Sequence, residues 1–302
     1  MSSWLSMLPE TLRISVPYAC AAVAGVWAER SGVIHIGLEA VLLTSSFSSV
    51  AAAVASGSLL VGMLAGVLAG VVVSVGHALL VERARVDAVV SGVALNLLAY
   101  AATRLALRGL YDSASNSPSI AGFELGPKGG DVGAMLARVL LDPVTLAAAL
   151  VIAASPWLLA RTRLGLRLRA CGESPEAARS LGIDVVRTRV LALAISGAVG
   201  ALGGVHLAFD QHRFESGMSA GRGFIALAAV VLSGWRAGRA ALACLVFGAL
   251  EALQIALQDV SGTSKATTLV QLLPYVATLV VLALGIGRAA APRGLGQRVD
   301  DG

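Results

Sequence analysis

The 302-residue chain is poor in charge: 14% of its residues are charged, and only two of them, Lys128 and Lys265, are lysine. A soluble chain carries roughly a quarter charged residues, so this composition excludes an ordinary soluble globular protein. The sequence has no G-x-x-x-x-G-K-[ST] run, and neither lysine lies in a glycine-rich cradle. That excludes ATP hydrolysis by P-loop chemistry. HExxH and CxxC are absent too, so a metalloprotease has no ligands, and no metal or other cofactor is implied. Cys20, Cys171 and Cys244 include no pair at disulfide or metal-ligand spacing, and are read as inert. No basic region precedes the first apolar run, since Glu10 comes before Arg13, which argues against a signal peptide.

What the chain does have is apolar length. Hydrophobic residues make up 57% of it. Nine apolar segments can be drawn: 11–28, 32–55, 58–81, 87–107, 142–160, 190–209, 222–235, 240–258 and 268–287. A span of about 20 apolar residues crosses a bilayer as a helix. Strands of a membrane barrel would alternate every second residue, and these runs do not. The expected fold is all-α: a polytopic transmembrane bundle of about eight to ten spans, some interrupted, built as one domain over 1–302.

Arginine supplies the positive charge, with 21 residues, and it collects in loops. Nucleic acid is therefore not an expected partner; membrane lipid is. The segment 161–189 has seven Arg against three acids, whereas 108–142 has three basic residues against four acidic ones. By the positive-inside rule the first is cytoplasmic and the second external. Counted back from there, the N-terminus falls outside, unless an early segment re-enters without crossing or 32–55 hides a break. Segments 32–55 and 222–235 both open on Gly-rich, partly polar stretches, as helices interrupted within the membrane do. Their placement early in the two halves points to an internal duplication.

The segment 161–189 is a polar, helix-prone island between long apolar runs. It holds Glu176-Ala177-Ala178, then three residues, then Gly182. That spacing resembles the coupling loop of ATP-binding cassette (ABC) importer permeases. The run Glu29-Arg30-Ser31-Gly32-Val33-Ile34-His35-Ile36-Gly37-Leu38-Glu39 resembles a signature of the permease subunits of bacterial nucleoside and simple-sugar ABC importers, relatives of the branched-chain amino-acid permeases. Gly172-Glu173-Ser174-Pro175-Glu176-Ala177-Ala178, Leu181-Gly182-Ile183, the block from Ser219 to Ala228 and Glu251-Ala252-Leu253-Gln254 extend the likeness in order over about 17–290. His35 and Ala40 depart from it, standing where Asn and Gly are usual. The departures leave the family intact and the solute open.

The resemblance implies a permease of the plasma membrane, itself not an enzyme, working by alternating access. It implies a separate ABC ATPase subunit, a second homologous permease and an extracytoplasmic solute-binding protein. Gly172, Glu173, Pro175, Glu176, Ala177, Ala178 and Gly182 would couple to the ATPase, with 176–182 as a short helix ending at Gly182. Candidate pathway residues are His35, Glu39, Asn96, Glu251 and Gln254, polar groups within apolar spans that must face a cavity or a protein partner. Each also has a structural reading. His35 and Glu39 lie four apart and could stabilise a helix break; Asn96 could join two helices. Glu251, Gln254 and Gln258 form one polar face that could meet solute or the partner permease. His77 and Arg104 are expected to snorkel to the interface, and Arg222 to anchor there or to meet an anionic group.

Two rival functions remain. A stand-alone secondary transporter would need acids beside unwound helices, for which Glu39 and Glu251 are the candidates, and would leave the coupling loop unexplained. An intramembrane serine hydrolase could be imagined from Gly217-Met218-Ser219-Ala220-Gly221 with His206, Asp210 and His212 nearby, but that elbow needs a strand-to-helix turn.

Overall fold

The computed structural model describes residues 7–123, 125–127, 129, 131–260 and 290–297. The ninth apolar segment, 268–287, lies outside the described residues, as do the side chains of 258–260. Among the described residues the regular structure is all helix, apart from one isolated bridge between Asn116 and Glu215. In chain order the helices are α1 (Met7–Glu29), α2 (Leu38–Ser56), α3 (Leu59–Glu82), α4 (Ala88–Tyr111), α5 (Val132–Leu141), α6 (Pro143–Arg161), α7 (Arg163–Glu173), α8 (Pro175–Ser180), α9 (Val185–Asp210), α10 (Arg222–Leu232) and α11 (Ala237–Val260).

Seven of these are long and apolar enough to cross a bilayer: α1, α2, α3, α4, α6, α9 and α11. They sort by burial. Around Tyr18–Ala28 of α1 every side is covered, and α9 is similarly enclosed from Val199 to Phe209. Helices that are apolar all round belong at the centre of a bundle. On α3, by contrast, Leu60, Leu64, Leu68 and Val72 recur every fourth residue and stay exposed, as a lipid-facing stripe does. Its opposite stripe is Gly62, Gly66 and Gly70, and a Cβ at Gly66 would lie 2.5 Å from Val205 Cγ2 of α9. Small residues let helices pack closely where lipid offers no hydrophobic drive to associate.

The two segments read as interrupted are interrupted. In the first, residues 30–37 are non-helical and α2 begins only at Leu38. Val41 packs beside Gly70 of the antiparallel α3, and His35 bonds Ser74. Ser74 lies eight residues before the end of α3, so α2 starts about 12 Å inside that end. In the second, α10 has only 11 residues, about 16 Å, and 211–221 is irregular. Helices α2 and α10 start near one level and run in opposite directions. Long helices pack in exchanged pairs around them, α3 along α9 and α11 along α1, the arrangement expected of an inverted duplication.

Candidate functional site at the converging helix ends

Most helices that begin in loops are capped by their own chain. Asp87 accepts from Val89 N and Val90 N of α4, Asp142 from Thr145 N of α6, and Thr162, Ser174 and Asp184 do the same for α7, α8 and α9. The two helices that start inside the bundle have no such residue. Gly37 precedes α2 and Gly221 precedes α10, and neither offers a side chain. A helix N-terminus in a dry interior leaves N–H groups that water cannot reach.

Side chains from other elements fill both positions. Glu39, on the first turn of α2, accepts from Gly221 N through Oε1 (2.8 Å) and from Gly223 N through Oε2 (2.7 Å). Its negative charge also lies where the α10 macrodipole is positive. The approach is tight: a Cβ at Gly223 would lie 2.5 Å from Glu39 N. Asn96, from α4, accepts from Ala40 N (2.9 Å) and donates to Ile36 O (3.1 Å), bracketing the start of α2. Replacing Asn96 with Ala would strand both groups. We expect a loss of about 1–3 kcal/mol per unsatisfied group, read from SDS-titrated unfolding in detergent, with Asn96→Asp retaining part because it still accepts from Ala40.

Around this junction the other candidates also bond protein groups. His35 is fully buried, bonds Ser74 Oγ through Nε2 (3.0 Å), and stacks on His77 with ring centroids 5.0 Å apart. His77 was expected to snorkel and does not. It is fully buried, held by Ser91 Oγ at 2.9 Å and by Ile34 O at 2.9 Å, because the irregular 30–37 segment presents a carbonyl that α2 cannot use. Of the two readings of Arg222, the anionic partner holds and the interfacial anchor does not. Its Nη2 meets Glu251 Oε1 at 2.9 Å, and Tyr18 donates to the other carboxylate oxygen at 2.7 Å. An arginine opening a helix at mid-depth finds a carboxylate more readily than water. Arg104 is exposed on α4, and Gln254 is half-buried one turn along α11 from Glu251.

The loop between α6 and α9 forms the second region. Helix α8 covers Pro175–Ser180, starting one residue earlier and ending two residues sooner than the spacing implies. It ends in a Schellman motif: Gly182 N donates to Arg179 O (2.8 Å), Ile183 N donates to Ala178 O (3.0 Å), and Gly182 has φ +79°. Pro175 and Ala178 face inward; Glu173, Glu176, Ala177 and Gly182 are exposed. Sequence reading missed Leu181, which is 81% exposed at the tip beside Gly182. The available signal was a large apolar residue at the turn of a polar loop. Gly172 is buried, and burial pushes the neighbouring Cys171 thiol above its ordinary value, so it is not a reactive thiolate.

The hydrolase constellation does not assemble. Ser219 is buried in the irregular lead-in to α10. His206 instead bonds Thr145 Oγ1 (3.2 Å) and Arg13 O (3.1 Å), and among the described residues no histidine bonds Ser219.

A bundle of membrane-length helices in which two interrupted segments meet at their helix N-termini, with a capped helix pair beside it, is that of a polytopic membrane permease. The chain belongs to the family described as branched-chain amino acid transport system / permease component, which matches residues 7–284. It is thus a multi-pass permease component of an ABC transporter in the plasma membrane; permeases of this family are not themselves enzymes. It is 35% identical, over 96% of this chain and 95% of the relative, to the guanosine ABC transporter permease protein NupQ of Bacillus subtilis. It is 33% identical, over 92% of each chain, to the nucleoside ABC transporter permease protein NupC of Lactococcus lactis. The putative glucose ABC transporter permease protein TsgC13 of Haloferax volcanii is 29% identical over 97% of this chain and 95% of its own.

Proposed function

We propose that this permease, one domain over 1–302, imports nucleosides or a related sugar-bearing solute by alternating access driven by a separate ATPase subunit. The α7–α8 face is cytoplasmic, and 108–142 is external. A second homologous permease completes the membrane unit, and an extracytoplasmic binding protein delivers the solute. The observation that carries this reading is the exposed, doubly capped α8 with Leu181 at its tip. A short rigid helix bearing one apolar knob fits a groove on a partner. The substrate class rests on the likeness to permeases named for nucleosides over nearly the whole chain.

Two substitutions test the coupling. Leu181→Asp should abolish ATP-driven uptake in proteoliposomes holding the assembled importer, with membrane insertion unchanged. Gly182→Val has room, since a Cβ there meets nothing within 4 Å, but it must adopt φ +79°. The strain of about 1–3 kcal/mol should loosen the cap and lower uptake per ATP hydrolysed. Normal coupling in both variants would count against a docking role. Competition of labelled guanosine uptake by other nucleosides, glucose and leucine separates the solute classes; uptake that follows an ion gradient without ATP would favour a secondary transporter.

For the pathway we infer that His35, Glu39, Asn96, Glu251 and Gln254 border the route between the halves. The contacts of Glu39, Asn96 and Glu251 favour a role in holding the interrupted helices, so that solute meets a shaped wall more than strong individual ligands.

A further inference from the structure

Three stretches of backbone from distant parts of the chain meet at the face that carries α7 and α8. The first is 30–32, the turn that leads into the interrupted segment before α2. The second is Gly172, in the last turn of α7. The third is 293–297, far along the chain. Gly294 N donates to Gly172 O at 2.7 Å, and Gly296 N donates to Gly32 O at 2.8 Å. The third stretch therefore brackets the other two with one main-chain bond to each. Gly172 itself packs on Arg30 O so closely that any Cβ there would collide with it. A Cβ at Gly294 would lie 2.8 Å from Gly172 O and 2.9 Å from Pro175 Cδ.

Side chains extend the junction to the second interrupted helix. Arg30 Nε donates to Trp235 O at 2.8 Å, in the turn that follows α10, and its Nη1 lies 3.7 Å from Glu173 Oε1. Trp235 Nε1 in turn donates to Glu29 Oε2 at 2.5 Å. Leu295 packs against the main core beside α1. One node thus touches the end of α7, the lead-in to α2 and the exit from α10.

We propose that this node relays displacement of the α7–α8 loop to both interrupted helices, and that residues 293–297 are the strap that keeps the relay closed. The inference rests on the importer reading above. The physical reason is the absence of any cushion. Where main chain packs on main chain through glycines, no rotamer change absorbs a shift, so moving one stretch moves the others. Longer side chains at Gly172 or Gly294 would put slack or collision where contact is now direct. In this role Arg30 and the strap are positioning elements, acting on the helices and not on the solute.

The test uses the complete importer in proteoliposomes, with ATP hydrolysis and labelled nucleoside uptake measured on the same preparation. Two variants are compared with the parent: Gly294→Val, and a chain that stops after residue 290. We expect both to assemble with their partners and to keep basal ATP hydrolysis, while uptake per ATP falls on the order of tenfold, within the usual range of coupling between sites. Gly296→Ala, with φ +74° and a Cβ 3.2 Å from Ile34 Cδ1, should show a smaller loss in the same direction. An unchanged ratio in the first two variants would overturn the relay. Failure of both to assemble would overturn it as well, because the strap would then serve folding. If the parent shows no ATP-dependent uptake, the importer reading itself fails.

Discussion

Glu39→Ala should be among the most damaging single substitutions in this protein, although it removes only one side chain from the first turn of a helix. The carboxylate satisfies two main-chain N–H groups at the start of α10, Gly221 N at 2.8 Å and Gly223 N at 2.7 Å. Without it, both lie in a tight junction where Gly223 already touches the Glu39 main chain. Gly223 is buried and Gly221 half-buried. An unsatisfied buried donor costs about 1–3 kcal/mol and a half-buried one less, so roughly 1–4 kcal/mol of stability should go. Glu39→Gln offers one acceptor oxygen and an unwanted donor, and should recover less than half of the loss. SDS-titrated unfolding of the purified chain, followed by circular dichroism, reads both. Uptake by the importer carrying Glu39→Gln and Asn96→Ala adds a second axis. If that double variant unfolds like the parent but transports poorly, the residues act on solute, and the capping account is wrong.

Arg189→Ala should cost about as much, for a different reason. Its guanidinium meets Glu82 at 2.8 Å, with the two side chains 1% and 4% exposed, and its Nε donates to Ser31 O at 3.1 Å. Removing one partner of a buried ion pair strands the other charge and costs about 3–5 kcal/mol. Replacing both at once, with Arg189→Met and Glu82→Met, should restore much of this, since no charge is left buried. The two single variants and the double variant form a cycle in the same unfolding assay. A loss below about 1 kcal/mol for Arg189→Ala would mean that water reaches Glu82, and would sink the idea of a buried pair. By sequence Arg189 counts among the arginines of the 161–189 loop, because it stands at a span boundary where charge is normally solvated.

Much of the architecture followed from the sequence alone because membrane insertion is governed by local composition. Runs of apolar residues long enough to cross hydrocarbon must be helices, whatever they pack against. The two interruptions were legible for a related reason: the glycines and polar residues on which segments 32–55 and 222–235 open do not suit a continuous lipid-facing helix. The turn at Gly182 was legible as well, since a left-handed cap strongly prefers glycine.

Partnership was not legible. Glu39, Asn96, His77, Glu251 and Arg222 were visible as polar residues in apolar surroundings, which fixes that each needs a partner but not which one. The pairs are 182, 56, 43 and 29 positions apart in the bonds Glu39–Gly221, Ala40–Asn96, Ile34–His77 and Arg222–Glu251. No periodicity connects such positions; only the packing of α2, α3, α4, α10 and α11 brings them together. The strap at 293–297 is the extreme case. Its sequence, Arg293-Gly294-Leu295-Gly296-Gln297, reads as a polar tail. The sequence decided that this chain lives in the membrane as interrupted helices. Tertiary structure decided what closes the interruptions, because in a dry interior each free N–H and carboxylate must be met by whichever group the fold brings near.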